Sequence, residues 1–68
     1  GPTGLEALTL LIVQGQRWLR PGGWLWLEQG YDQAEAVAAL LTQQGYREIT
    51  QQRDWAGWLR VSGGRWGG

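Results

Sequence analysis

Sixty-eight residues carry six arginines, six acids and no lysine, so the chain has no net charge, and it contains no Cys, His or Met. Without Cys or His there is no zinc finger, no thiol redox chemistry and no Cys- or His-based nucleophile, and a body this small is marginal without such staples. The arginines are scattered, and only Arg17 and Arg20 lie close together, at a helix end where positive charge suits the dipole, so the basic stripe of a nucleic-acid binder is missing.

The spacing of Thr3 and Glu6 is that of a capping box, and Leu5, Leu8, Ile12 and Leu19 fall on one face at helical spacing, flanked by Leu11 and Trp18. This predicts a helix over Gly4–Leu19, with Gly15 on the buried face to let the helix approach a sheet. Pro21-Gly22-Gly23 then turns the chain. Trp24-Leu25-Trp26-Leu27 is apolar at every position, the habit of a strand buried on both faces. Glu28-Gln29-Gly30-Tyr31 leaves that strand. Asp32 and Glu35 repeat the capping spacing and open a second helix over Gln33–Gln44, with Val37, Leu40 and Leu41 inward. Gly45 suits a left-handed helix end, and Tyr46 is expected to fold back on the last turn.

Arg47–Arg53 reads as a polar edge strand around Ile49, Asp54-Trp55-Ala56-Gly57 as a turn, and Trp58–Val61 as a short returning strand. A Gly-rich tail follows, with only Trp66 able to anchor it. The order helix, strand, helix, strand, strand implies an α/β fold with a right-handed parallel crossover and a mixed three-stranded sheet, two helices on one face. The longest apolar run, Leu10–Val13, is far too short to span a bilayer, and no signal-peptide pattern is present. The missing Met and the heavy load of core residues, six Trp with no Phe, mark the chain as an expected piece of a longer protein.

Candidate chemistry is sparse. Gly22-Gly23 precede the strand, whereas a phosphate loop places its glycines between strand and helix. The helix after the strand opens with acids, which repel phosphate, so these glycines are turn residues. Asp32 and Glu35 are neighbours on one helical turn and read as caps rather than as a catalytic pair across a cleft. Trp24 and Trp26 share one strand face and read as core rather than as a stacking platform; Trp55 and Trp58, flanking the turn, are the ones expected at the surface. Glu28 and Gln29 occupy the carboxyl end of the buried strand, where open α/β sheets place ligands, and form a candidate substrate-side rim. A solvated loop carboxylate is the plain alternative.

Gly1-Pro2-Thr3-Gly4-Leu5-Glu6, then Leu19-Arg20-Pro21-Gly22-Gly23-Trp24-Leu25-Trp26-Leu27-Glu28, then Gly30-Tyr31-Asp32-Gln33 and Glu35-Ala36-Val37 resemble the C-terminal part of the HemK/PrmC family of release-factor glutamine methyltransferases. Arg53-Asp54-Trp55-Ala56-Gly57 with Arg60-Val61 resembles that family's Arg-Asp-x-x-Gly-x-x-Arg hairpin, in which Asp54, Gly57 and Arg60 are structural. The resemblance covers residues 1–62 and leaves 63–68 as a tail. It implies the closing part of a Rossmann-like class I methyltransferase fold. It also implies methyl transfer from S-adenosylmethionine to the glutamine of a release-factor Gly-Gly-Gln motif, in the cytoplasm. The family's cofactor glycine motif and its Asn-Pro-Pro-Tyr substrate motif do not occur here, so the resemblance assigns no catalytic, cofactor or metal residue to this chain. The isolated piece is expected to be inactive and to bind no cofactor. Gln29 stands where many members carry His or Ile, and Trp58 and Leu59 replace residues usually polar.

With upstream helices absent, a strand apolar on both sides leaves a bare sheet face, and self-association through that face or the open edge is expected. Two other readings stand beside this one: a stand-alone Trp-rich module that binds a protein partner, and the tail of a different class I methyltransferase. Neither direct nucleic-acid binding nor a membrane role is expected.

Overall fold

The computed structural model describes residues 5–67; the expected Thr3 cap and the Gly1-Pro2 segment lie outside them. Helix α1 spans Leu5–Trp18, strand β1 Trp24–Glu28, helix α2 Ala34–Gln43, strand β2 Tyr46–Arg53 and strand β3 Leu59–Trp66. A single 3-10 turn, Tyr31–Gln33, leads into α2. Within α1 the inward positions are those the periodicity selects. Ile12 and Gly15 are buried, and Leu5 and Leu8, with Leu19 just past the helix end, pack partly buried against the core. The core joins Ile12, Leu27, Val37, Leu41 and Tyr46, with Leu25, Leu40, Ile49 and Trp66 at its margin, so both helices cover the sheet face that carries Leu25, Leu27 and Tyr46.

The sheet order is β1-β3-β2, and both neighbouring pairs are antiparallel. This corrects the expected mixed sheet. β1 and β2 do run the same way on either side of the α2 crossover, but the last strand lies between them. β3 also runs on to Trp66, well past the expected end at Val61. Gly22 N–H donates to the Trp66 carbonyl and Trp66 N–H to the Gly23 carbonyl, each at 2.7 Å. Residues 62–66 are therefore central strand, and Trp66 anchors them.

Glycines are depleted in strands, yet here side chains from the neighbouring strands occupy their place. A Cβ on Gly63 would lie 2.3 Å from the Trp26 ring, and one on Gly64 would lie 2.9 Å from Tyr46 Cβ. Strand β2 carries a one-residue bulge between Arg47 and Thr50 opposite β3. Glu48 sits in it at φ 53, with its carboxylate 3.0 Å from Arg65 Nη1.

Three further expectations are corrected. Strand β1 is covered on one face only. Leu27 is buried, whereas Trp24 and Trp26 are 40% and 46% exposed and stack on each other at 5.4 Å between ring centroids. Asp32 does not cap α2, because Gly30 and Gln33 satisfy one another instead: Gln33 N–H donates to the Gly30 carbonyl at 2.9 Å and Gly30 N–H to Gln33 Oε1 at 3.0 Å. Gly45 ends α2 at φ 92 as expected, but Tyr46 turns away from that helix. Its hydroxyl donates to the Ile12 carbonyl of α1 at 2.7 Å, and its ring meets Trp66 at 5.2 Å.

Candidate functional site

The carboxyl end of β1 is where the fold gathers polar groups. Backbone pairing continues past the strand, with Gln29 N–H donating to the Arg60 carbonyl at 2.9 Å. The Gln29 side chain is 7% exposed and satisfied at both ends. Its amide nitrogen donates to the Leu59 carbonyl at 3.2 Å, and its oxygen accepts from Ser62 Oγ at 2.8 Å. Ser62 in turn accepts from Gln51 Nε2 at 3.0 Å, and the same nitrogen donates to the Ala34 carbonyl at 2.7 Å. One chain of hydrogen bonds, buried at Ser62–Gln29 and part-buried elsewhere, thus ties all three strands to the start of α2. Among the described residues no buried side-chain polar atom lacks a partner. Sequence reasoning did not single out Ser62 or Gln51; the signal is a small hydroxyl and a glutamine in register at Gln51↔Ser62.

The expected rim pair therefore separates. Glu28 is exposed at the strand end, and Gln29 is built into the sheet. Both border an open groove of about 640 Å³ lined by Ala7, Leu8, Glu28, Gln29, Gly30, Gln33 and Arg60. The groove offers one carboxylate, one guanidinium and amide groups, which suits holding a polar peptide-like group. It carries no Ser, Thr, Tyr or Lys, and among the described residues no cluster of three acids, His or Cys could hold a metal ion.

The hairpin at the neighbouring strand ends is organised by Asp54. One carboxylate oxygen accepts from the N–H groups of Ala56 and Trp58 at 2.9 and 3.0 Å, and the other lies 3.2 Å from Arg60 Nε. Gly57 takes φ 93, the left-handed position that closes a three-residue hairpin loop, and Arg53 Nη1 donates to its carbonyl at 2.9 Å. The Trp58 N–H, followed by the Arg60 and Ala56 groups, holds the Asp54 carboxyl below its ordinary value of 3.8 by favouring the charged form.

Tyr31 then joins loop to hairpin. Its ring meets Trp58 at 4.6 Å, and the Arg60 guanidinium carbon lies 5.6 Å from the ring centre. The segments Glu28, Gly30-Tyr31-Asp32-Gln33 and Arg53–Arg60, separate in sequence, thus meet at one corner. Trp58 is half-exposed there and Trp55 is 99% exposed at the hairpin tip, as expected of both.

Comparison with known proteins finds similar sequences. No family model matches the chain, but individual relatives do. Release factor glutamine methyltransferase from Coxiella burnetii is 49% identical over 61 residues, which are 90% of this chain and 22% of the relative. The Bordetella pertussis protein of the same name is 51% identical over 61 residues, 90% of the chain and 23% of the relative. That of Pseudomonas aeruginosa is 39% identical over 66 residues, 97% of the chain and 24% of the relative. The chain spans less than a quarter of the length of each of these relatives. Along nine-tenths of its own length, this chain is similar to the C-terminal part of the HemK/PrmC release-factor glutamine methyltransferases.

Proposed function

We propose that this chain is the closing segment of an S-adenosylmethionine-dependent protein methyltransferase that modifies the glutamine of a release-factor Gly-Gly-Gln motif in the cytoplasm. The observation that carries this reading is the meeting of the strand-end Glu28, the Gly30–Gln33 loop and the Asp54–Arg60 hairpin around one groove. These are the sequence stretches on which the resemblance rests. The ends of the similarly directed strands β1 and β2 lie on that side, and ligands of open α/β sheets bind beyond such ends. A Rossmann-like parent sheet fits two strands joined by a covering helix.

In this reading the segment shapes the substrate side and closes the sheet, and the chemistry belongs to the rest of the larger protein. The segment brings no cofactor cradle of its own in this reading, which fits the opening of α2, after the Gly30 loop, beside Asp32 and Glu35, acids that repel phosphate. When bound, the cofactor supplies the methyl group. Glu28 would orient the substrate from the strand end, and Gln29 would hold that end rigid through Ser62.

The test uses the full-length parent, purified release factor and labelled S-adenosylmethionine. Glutamine methylation by the parent, weakened by Glu28→Gln through a higher KM with unchanged thermal stability, supports the reading. A parent that methylates a small molecule and leaves the release factor untouched overturns it. The isolated chain is expected to give no saturable heat on titration with S-adenosylmethionine.

A further inference from the structure

We propose that Arg60 binds the substrate, donating from its terminal nitrogens to a main-chain carbonyl beside the modified glutamine, and that Asp54 is the positioning residue that aims it; this rests on the proposed function. A guanidinium has separate nitrogens for separate tasks. Arg60 Nε lies 3.2 Å from Asp54 Oδ2. The guanidinium carbon stands 5.6 Å from the centre of the Tyr31 ring, within cation–π range. Its two terminal nitrogens bond to no described residue, and Arg60 lines the groove together with Gln29, Gly30 and Gln33.

The hold on Arg60 is rigid. Asp54 Oδ1 accepts from the Ala56 and Trp58 N–H groups at 2.9 and 3.0 Å, so the carboxylate cannot turn without undoing the loop. Tyr31 is braced in its turn by Trp58 at 4.6 Å. Arg60 is thus fixed at one edge and on one face, and the rotamer freedom that a loose arginine surrenders on binding is already spent. By strand alternation its side chain leaves the sheet on the same face as Ser62, toward Ala7 and Leu8 of α1 and Gln33 ahead of α2. In the sheet order, β1 stands between β3 and any further strand of a longer sheet, so added strands do not displace this corner.

Charge selects the ligand group. Asp54 already balances Arg60, so the pair offers N–H donors with little net charge. A neutral carbonyl takes such donors in full, whereas a carboxylate gains less from a guanidinium that is already paired. Peptide main chain supplies that carbonyl whatever the side chain beside it. One such bond next to the acceptor glutamine sets the direction of the substrate chain and brings the side-chain amide to the carboxyl ends of the strands. Recognition at this point therefore reads backbone and not side chain.

The test uses the full-length parent, purified release factor and labelled S-adenosylmethionine. A lysine has one nitrogen, which can pair with Asp54 or reach the groove but not both. Arg60→Lys should therefore raise KM for the release factor about tenfold, the worth of a hydrogen bond from a charged donor, with kcat and the thermal midpoint unchanged. Asp54→Asn keeps an acceptor for Ala56 and Trp58 but turns an amide N–H toward Arg60 Nε, and should raise KM by a similar factor. A neutral acceptor makes the lysine penalty equal at low and high salt; a penalty that disappears at high salt indicates a charged group and overturns the main-chain assignment. An Arg60→Lys enzyme with unchanged KM, or one that only loses thermal stability, shows a structural arginine and overturns this inference while the proposed function stands. A wild-type parent that leaves the release factor unmethylated overturns both.

Discussion

The Tyr46 hydroxyl reaches the Ile12 carbonyl at 2.7 Å directly over Gly15, where an added Cβ would stand 2.7 Å from the hydroxyl oxygen. A strand residue is thereby hydrogen-bonded to a helix through the gap that a missing side chain leaves. Tyr46→Phe should cost about 0.5–1.5 kcal/mol in urea unfolding, the net worth of one such bond. Gly15→Ala, normally worth about 1 kcal/mol of added helix propensity, should instead destabilise by about 1–3 kcal/mol through overpacking. In a Tyr46→Phe background that penalty should shrink or reverse, so the double-mutant cycle measures the contact.

The same burial sets a pH dependence. Desolvation raises the Tyr46 phenol above its ordinary value of 10.0, because burial disfavours the charged form. A group raised on folding contributes stability that is complete below the unfolded value and is lost as pH climbs through the folded one. Unfolding midpoints should therefore fall above about pH 10 in the parent sequence, and this component of the fall should be missing in Tyr46→Phe.

Asp54 behaves in the opposite sense. Its carboxyl is held below 3.8 by the turn N–H groups and Arg60, so its contribution is present above the unfolded value and is lost as pH drops through the folded one. Carbon-detected titration should place its midpoint below 3.8. Asp54→Ala should speed amide exchange at Ala56 and Trp58 while leaving α1 and α2 protected. Gly57→Ala, at φ 93, should cost about 1–2 kcal/mol through left-handed strain.

Ser62 is the hinge of the polar chain, accepting from Gln51 and donating to Gln29. Ser62→Ala leaves a glutamine oxygen without its donor and should cost about 1–3 kcal/mol. Thermal unfolding in buffer checks this, and a variant as stable as the parent would mean that water substitutes for the hydroxyl.

Gly63→Ala tests the sheet's other face. The added carbon would meet the Trp26 ring at 2.3 Å, and the ring must swing off the sheet, unstacking from Trp24. A shifted indole emission spectrum and a loss of about 1–3 kcal/mol are expected.

What the sequence revealed and what it concealed follow from how local each signal is. Ile12, Gly15, Val37 and Leu41 were legible because helical periodicity repeats within a few residues, and Asp54 and Gly57 because turn chemistry is contained in four. The extent of β3 was not legible. Gly63 and Gly64 argue against a strand until Trp26 and Tyr46, some 20 to 40 positions away, are known to cover them. The position of β3 between β1 and β2 was hidden for the same reason, since alternation fixes faces and not neighbours. At the strand end, Glu28 and Gln29 looked alike as polar loop residues. Only the register Leu27↔Ser62 separates the exposed carboxylate from the buried amide.

The strand that comes last in sequence lies in the middle of the sheet. Neither β1 nor β2 has any other strand to pair with among the described residues, so the two helices can form early but the sheet has no partial state worth populating. Its closure requires Trp66 to return to Gly22 and Gly23 across most of the chain, a long loop to close before any ladder bond rewards it. The molecule should consequently fold slowly for its size and lose all three strands together, with hydrogen-exchange protection of β1, β2 and β3 collapsing at one common free energy.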